Sequence, residues 1–300
     1  MNSCKPFSPD ADADGPLRAR LPQWLKVALP KDGAFAETAR VVSGGELHTV
    51  CRQARCPNIF ECFSHGVATF LILGGNCTRS CGFCNVTHAL PGPPDPEEPL
   101  RLAKACAELA LKHVVVTSVT RDDLTDGGAS QFAGCILSVR RELPKASVEV
   151  LIPDFQGDEA SLNRVLAAKP EVLNHNVETV PELYSTVRPQ AVYARSLELL
   201  RRAKKSGNVR VKSGLMLGLG ETRDQLSRTL SDLAIAGCDI VTVGQYLRPS
   251  RRNLPVVRYV PPEEFDQVAD LGRGLGIPVM YCGPLVRSSH NAGRILQKIE

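Results

Sequence analysis

Beyond residue 66 the chain alternates two hydrophobic patterns. Short apolar runs rich in β-branched residues occupy Ala68–Leu73, His113–Val119, Ser147–Ile152, Val172–Val177, Arg210–Leu217, Ile240–Tyr246 and Ile277–Tyr281, with starts 25 to 45 residues apart. Between them, apolar residues recur at i, i+3/i+4 and i+7, the period of an amphipathic helix. Pro99–Lys112 sets Leu102, Cys106, Leu109 and Ala110 on one stripe, and Ser130–Leu143 sets Phe132, Cys135, Ile136 and Val139 on another. Asp224–Ala236 carries Leu226, Leu230 and Leu233 and stops at Gly237, while Pro261–Gly274 opens on Pro, Glu and Glu. Strands separated by helices at these intervals predict βα units around a parallel sheet. A doubly wound sheet and a full or partial barrel both satisfy the pattern, and both bind ligands at the C-terminal ends of their strands.

Composition narrows the class. The 300 residues are 43% apolar and 23% charged, as in a globular protein, and the net charge of +4 is too small to argue for nucleic acid. No apolar run approaches the roughly 18 residues of a membrane span, and no apolar segment follows Met1, so neither a membrane partner nor a secretory signal is expected. The first 30 or so residues are rich in Pro, Asp and Ala, with Leu21–Leu25 as a docking patch. The expected location is cytoplasmic, where thiols stay reduced. There, 11 cysteines are an unusual number, and the odd count forbids complete intramolecular pairing.

Six of the cysteines fall in two triplets between residues 51 and 84. Cys77-Thr-Arg-Ser-Cys81-Gly-Phe-Cys84 follows the first apolar run, in a long loop to about Pro99; loops of that length are usually functional. Three thiolates from one loop leave a 4Fe–4S cluster one ligand short of the four-cysteine set. A zinc knuckle completed by His88 is the alternative. The second triplet, Cys51-Arg-Gln-Ala-Arg-Cys56-Pro-Asn-Ile-Phe-Glu-Cys62, has no recognised zinc spacing. Two clusters, each on three protein thiolates, is the economical reading.

The Cys77–Cys84 motif resembles the signature of the radical S-adenosylmethionine (radical SAM) superfamily. In that superfamily the open iron binds SAM, and one electron from the cluster cleaves SAM to methionine and a 5′-deoxyadenosyl radical. Further segments are similar to the lipoyl synthase family: the Cys51–Cys62 triplet, Thr69–Gly74, Val116–Leu124 with Asp126–Ala129, Asn174–Thr179, Lys212–Met216, Gly218–Glu221, Gly244–Arg252 and Val286–Ser289. The resemblance covers roughly residues 20–297. It implies an α/β fold: a partial (β/α)6 TIM-type barrel of parallel strands over residues 67–283. Extensions at 1–66 and 284–300 would hold an auxiliary cluster. It also implies a sulfurtransferase that inserts two sulfurs at carbons 6 and 8 of an octanoyl group amide-linked to a lysine. The cofactors would be two 4Fe–4S clusters and SAM. The partners implied are octanoylated lipoyl carrier domains (2-oxoacid dehydrogenase acyltransferase subunits and the glycine cleavage H protein), an electron donor such as ferredoxin or flavodoxin, and an iron–sulfur carrier protein.

By the same resemblance, Cys77, Cys81 and Cys84 hold the SAM cluster. Cys51, Cys56, Cys62 and Ser289 hold the auxiliary cluster, whose hard oxygen ligand should be easier to displace than a thiolate. The family usually has Tyr where this chain has His290. Asn174, Asn176 and Glu178 alternate, so period-two geometry puts them on one face. There they would meet SAM or form a bonded polar layer; His175 should face away and be structural. Gly218 and Gly220 would lie against SAM. Asp122 and Asp123, with Asp126, Gly127 and Gly128, either cap the next helix or bind the SAM amino group. Arg248, Arg251, Arg252 and Arg258 read as a solvated face or a receiver for an acidic carrier domain. Cys4, Cys106, Cys135, Cys238 and Cys282 are expected to bind no cluster. The alternatives are another radical SAM sulfur-transfer enzyme, biotin synthase-like or a methylthiotransferase, and a non-catalytic two-site metal-binding protein.

Overall fold

The computed structural model describes residues 21–27 and 34–297; Cys4 lies outside them. A 3-10 turn at Gln23–Leu25 buries Leu25, whereas Leu21 and Trp24 of the expected patch are exposed. The N-terminal section then runs α1 (Ala34–Gly44), β1 (His48–Thr49), α2 (Val50–Gln53) and α3 (Ile59–Ser64). The core begins at β2 (Thr69–Ile72), and its long loop pairs β3 (Asn76–Cys77) with β4 (Thr87–His88). Next come α4 (Glu98–Glu108), β5 (His113–Ser118), α5 (Ala129–Glu142), β6 (Ser147–Leu151), α6 (Glu159–Ala167) and β7 (Val172–Asn174). Then α7 (Tyr184–Val187), α8 (Tyr193–Lys205), β8 (Arg210–Leu217), α9 (Arg223–Ile235) and β9 (Ile240–Gln245) follow. The described chain closes with α10 (Pro262–Gly274), β10 (Val279–Gly283) and α11 (Ala292–Gln297).

The main sheet has the order β1-β2-β5-β6-β7-β8-β9-β10. All neighbours pair parallel except β1, which runs antiparallel at one edge. The first six parallel strands are the expected barrel units. The seventh apolar run adds a further strand, β10, beside β9, and the barrel stays open rather than closing on β2. Val114–Val116 of β5 and Ile240–Gln245 of β9 are buried throughout, as strands covered on both faces must be.

Local chemistry sets the helix starts. Thr222 and Gln225 form a capping box on α9, and Asp158 accepts the Ser161 N–H (2.8 Å) at the start of α6. Helix α4 ends earlier than its pattern indicated. Ala110, expected on the buried stripe, is exposed and turns through φ 48° after the helix. Strand β7 likewise stops at Asn174, three residues short of its apolar run.

The lumen holds a charged layer. Lys212 Nζ lies 2.8 Å from Glu149 Oε1, with both side chains at most 1% exposed. Asn174 Nδ2 (3.5 Å) and His113 Nε2 (3.6 Å) complete the surroundings of Glu149. Removing either charge alone would leave the other buried without compensation, typically costing about 3–5 kcal/mol.

Candidate functional site

The Cys77–Cys84 loop leaves β2 at a strained corner. Leu73 adopts φ 68°, and its N–H donates to the buried Glu98 carboxylate (3.0 Å). The loop is then stitched to the end of β5. Thr78 donates through both N–H (3.0 Å) and Oγ1 (2.9 Å) to the Thr120 carbonyl, and the Asp122 N–H donates to Thr78 Oγ1 (3.1 Å). Arg79, 5% exposed at its side chain, forks onto Asp122 (2.6 and 2.8 Å) and also reaches Asp154 (2.6 Å). The loop's far end returns to α7, where the Gly82 N–H donates to the Val187 carbonyl (2.9 Å). Cys77 Sγ accepts N–H groups from Thr120 (3.3 Å) and Arg79 (3.5 Å). Burial raises the Cys81 thiol and pushes Cys84 up to about 12; each also feels the charge of the other cysteines of its triplet.

The upstream triplet lies on and between α2 and α3. The Cys56 N–H donates to the Cys51 carbonyl (3.1 Å), and the Cys62 N–H to the Asn58 carbonyl (2.9 Å). Burial pushes Cys51 up to about 11. Burial together with the neighbouring thiolates pushes Cys62 up to about 12. The segment after β10 is tied to this motif: Asn58 Nδ2 donates to the Leu285 carbonyl (2.7 Å), and His290 Nε2 lies 3.7 Å from Glu61 Oε2. Burial raises the Cys56 thiol while the Arg287 guanidinium pulls it back. Residues 285–290 thus lie against the second triplet, which brings Ser289 within its neighbourhood.

Both donor sets suit iron–sulfur clusters. Each is three thiols close enough to feel one another's charge, with backbone N–H groups aimed at Cys51, Cys56, Cys77 and Cys84 sulfurs. Among the described residues, no three His, Cys, Asp or Glu side chains gather around one metal ion. His88, the candidate fourth zinc ligand, is exposed, with its ring nitrogen against the Cys77 carbonyl (3.2 Å).

Between the triplets sits a polar group of side chains. Asn176 Nδ2 donates to Glu178 Oε1 (3.0 Å) and Ser288 Oγ (3.2 Å), and Asn176 Oδ1 is buried with no protein partner. Gly214 leaves room for it; a Cβ there would stand 2.9 Å from that oxygen. Glu178 holds φ 65°, and burial raises its carboxyl. Arg188 is half-buried beside it and donates to the carbonyls of Asn176 (2.8 Å) and Val177 (3.2 Å).

Residues 71–233 match the Radical SAM superfamily. The lipoyl synthase of Nitratidesulfovibrio vulgaris strain DP4 is 60% identical over 273 residues, covering 91% of each chain. That of Oleidesulfovibrio alaskensis is 58% identical over 279 residues, covering 93% of this chain and 96% of its own. The chain belongs to the lipoyl synthase family. Among solved structures, Streptococcus suis SuiB bound to S-adenosylmethionine matches with TM-score 0.57 at 10% identity, over 75% of this chain and 53% of that one. HydG, a maturase of the [FeFe]-hydrogenase, matches with TM-score 0.53 at 15% identity, over 92% and 69%. At such identities these two speak for the fold alone.

Not every residue singled out in the sequence meets at the mouth. Asn174 belongs to the charged layer with Glu149, because β7 ends there and the chain turns before Asn176 and Glu178. His175 is structural, bonded to the Ile152 carbonyl (2.8 Å) and Ser196 Oγ (2.9 Å). The Asp126 carboxylate is spent on capping α5, accepting from Gly128 N–H (2.9 Å), Ser130 N–H (2.8 Å) and Ser130 Oγ (2.5 Å). Asp122 holds Arg79, and Asp123 pairs with Arg121 (2.8 Å). Gly127 and Gly128 have positive φ and pack on Phe155 and Leu73. At Gly218-Leu-Gly220 the first two N–H groups go to Glu221 (2.7 and 2.9 Å), so this turn is closed on itself. Sequence reasoning missed Glu98, Arg188 and Asn253, and did not single out Arg79, Arg55 and Arg287 within the motifs that contain them. The partners of Glu98, Arg79, Asn253 and Arg55 are 25 to 194 residues away, and no spacing rule reports such pairs.

Proposed function

We propose that the chain inserts two sulfur atoms at carbons 6 and 8 of an octanoyl group carried on a lysine of a lipoyl carrier domain. The observation that carries this reading is the pairing of two cysteine triplets, Cys51 buried and the other five half-buried, with a polar group between them. Cys77, Cys81 and Cys84 would hold a SAM-binding 4Fe–4S cluster. Cys51, Cys56, Cys62 and Ser289 would hold the auxiliary one. When bound, SAM and its cluster supply a radical able to take hydrogen from unactivated carbons, and the auxiliary cluster supplies sulfur. The chain's own residues do the positioning. Arg79 and Thr78 fix the first loop, Arg287 sets a half-buried positive charge near Cys56 and Glu178, and Asn176 links Glu178 to the Ser288 hydroxyl. Asn176 and Glu178 offer an amide and a carboxylate to the ribose diol of SAM.

Arg251 and Arg252 are exposed, whereas Arg248 turns onto its own loop and Arg258 pairs with Glu264 (2.9 Å). The first two are the pair that would steer an acidic carrier domain. No helix of the described chain is long and apolar enough to cross a membrane. The six thiols required by the reading favour a reducing compartment, the cytoplasm, where a flavodoxin or ferredoxin and an iron–sulfur carrier protein would serve it.

The test is anaerobic incubation of iron–sulfur-reconstituted protein with SAM, dithionite and an octanoyl-lysyl peptide. The reading requires about eight irons per chain, 5′-deoxyadenosine, and a peptide mass increase for two sulfurs. Deoxyadenosine with an unmodified peptide would overturn the assigned reaction while keeping the superfamily chemistry.

A further inference from the structure

We propose that residues 248–254 form a strap that sets the spacing between the two cysteine triplets, with Asn253 and Arg55 as its positioning residues. The strap follows β9 and is braced within itself. Arg248 donates to the carbonyls of Asn253 (2.8 Å) and Arg251. The Asn253 N–H donates to the Ser250 carbonyl (3.1 Å), and Ser250 Oγ to Asn253 Oδ1 (2.6 Å). With Oδ1 held, the Asn253 Nδ2 donates to the carbonyls of Cys84 (2.8 Å) and Gly82 (3.3 Å). The Leu254 N–H adds a third bond to this loop, at the Gly82 carbonyl (3.0 Å), and the Leu254 carbonyl is anchored by Tyr246 Oη (2.8 Å).

Close approach depends on Gly82. A Cβ there would stand 2.9 Å from the Leu254 side chain and 3.2 Å from the Thr186 carbonyl. On the other side, Arg55 Nη1 donates to the Pro249 carbonyl (3.3 Å). Arg55 immediately precedes Cys56 in the upstream triplet and itself adopts φ 51°. One short, braced segment therefore grips backbone at Cys84 and Gly82 of one triplet and is gripped by the side chain beside Cys56 of the other.

Spacing matters because, on the function proposed above, radical and sulfur arise at different triplets and act on the same carbon in turn. A displacement of about 1 Å in such an arrangement can cost about 100-fold in rate. An uncharged amide directed at carbonyls holds that distance without competing for iron.

Two measurements decide it, each on the full chain with Asn253→Ala and Arg55→Ala. The first is amide hydrogen exchange on the protein without substrate. In Asn253→Ala, exchange should speed up at residues 51–56 as well as at 82–84; in Arg55→Ala it should speed up at 82–84 as well as at 249–254. Exchange changed only beside each substitution would overturn the strap. The second is the ratio of deoxyadenosine formed to sulfur inserted, with iron content measured in parallel. For Asn253→Ala the ratio should rise about 10-fold at unchanged iron content. Iron lost with the ratio unmoved would mean plain loop stabilisation and would also overturn it. If wild type makes deoxyadenosine without sulfur insertion, the functional reading fails, and the exchange data alone still decide the strap.

Discussion

Arg79 shows how one side chain can hold a cysteine loop in place. Its guanidinium satisfies Asp122 and Asp154 together, and Arg195 supports Asp154 from the far side (3.3 Å). The Arg79 guanidinium holds the Asp154 carboxyl down at about 2 against the cost of burial. Arg79→Ala leaves that buried carboxylate short of its main partner, so urea denaturation should show a loss of about 3 kcal/mol or more. Arg79→Lys should recover only part of it, because an ammonium cannot make the two-pronged contact. His175 illustrates the opposite case. Burial chiefly, with the Arg188 charge, lowers its pKa to about 4 from 6.5, so the native state keeps it neutral. The unfolded chain binds the extra proton between those values, so stability falls as pH drops from 6.5 towards 4. Arg79 and Arg188 oppose the proton there, while Asp154 and the Ile152 carbonyl favour it. His175→Gln should flatten that decline, read from urea midpoints across pH 4 to 7; an unchanged slope would show that His175 is not the group responsible.

At the scale of elements, β9 and the segment after β10 meet without room for a side chain. A Cβ on Gly244 would collide with the Val286 carbonyl. Gly244→Ala must push out backbone one residue before Arg287, on the segment that Asn58 and His290 tie to the upstream triplet. The expected outcome is selective loss of the auxiliary cluster, with iron falling from about eight to about four per chain while deoxyadenosine formation persists. Loss of both clusters together would refute that selectivity. This is also where sequence legibility stops. The seven apolar runs are readable because a strand covered on both faces must be continuously apolar. The end of α4 is not, because Ala110 takes positive φ for reasons that lie in the surrounding backbone; nor is the end of β7, where the chain leaves the ladder after Asn174 and Glu178 bridges back to Leu215 of β8. Serine 288 shows the same limit. Nothing in Arg287-Ser-Ser289 says that the first hydroxyl meets Asn176, a contact across 112 residues.

For the whole molecule, the two triplets sit on different elements: one lies on and between α2 and α3, the other on the loop after β2. Their functions should therefore separate. Cys56→Ala is expected to keep deoxyadenosine formation and yield no sulfur-bearing peptide, whereas Cys81→Ala should lose both, as read by chromatography and peptide mass. Full sulfur insertion by Cys56→Ala would exclude that triplet as the sulfur source.

The sequence by itself determined the alternation of strands and helices, the two cysteine spacings and, through them, the family. Those features are local: a period of burial, or three thiols within a dozen residues. Tertiary structure alone decided that Asn174 serves a charged layer rather than the mouth. It also decided that Asp126 caps a helix, and that one asparagine after β9 reaches both Gly82 and Cys84. The physical reason is common to all three. A polar side chain takes whichever partner the packed backbone brings within about 3 Å, and that partner is set by the path of the whole chain.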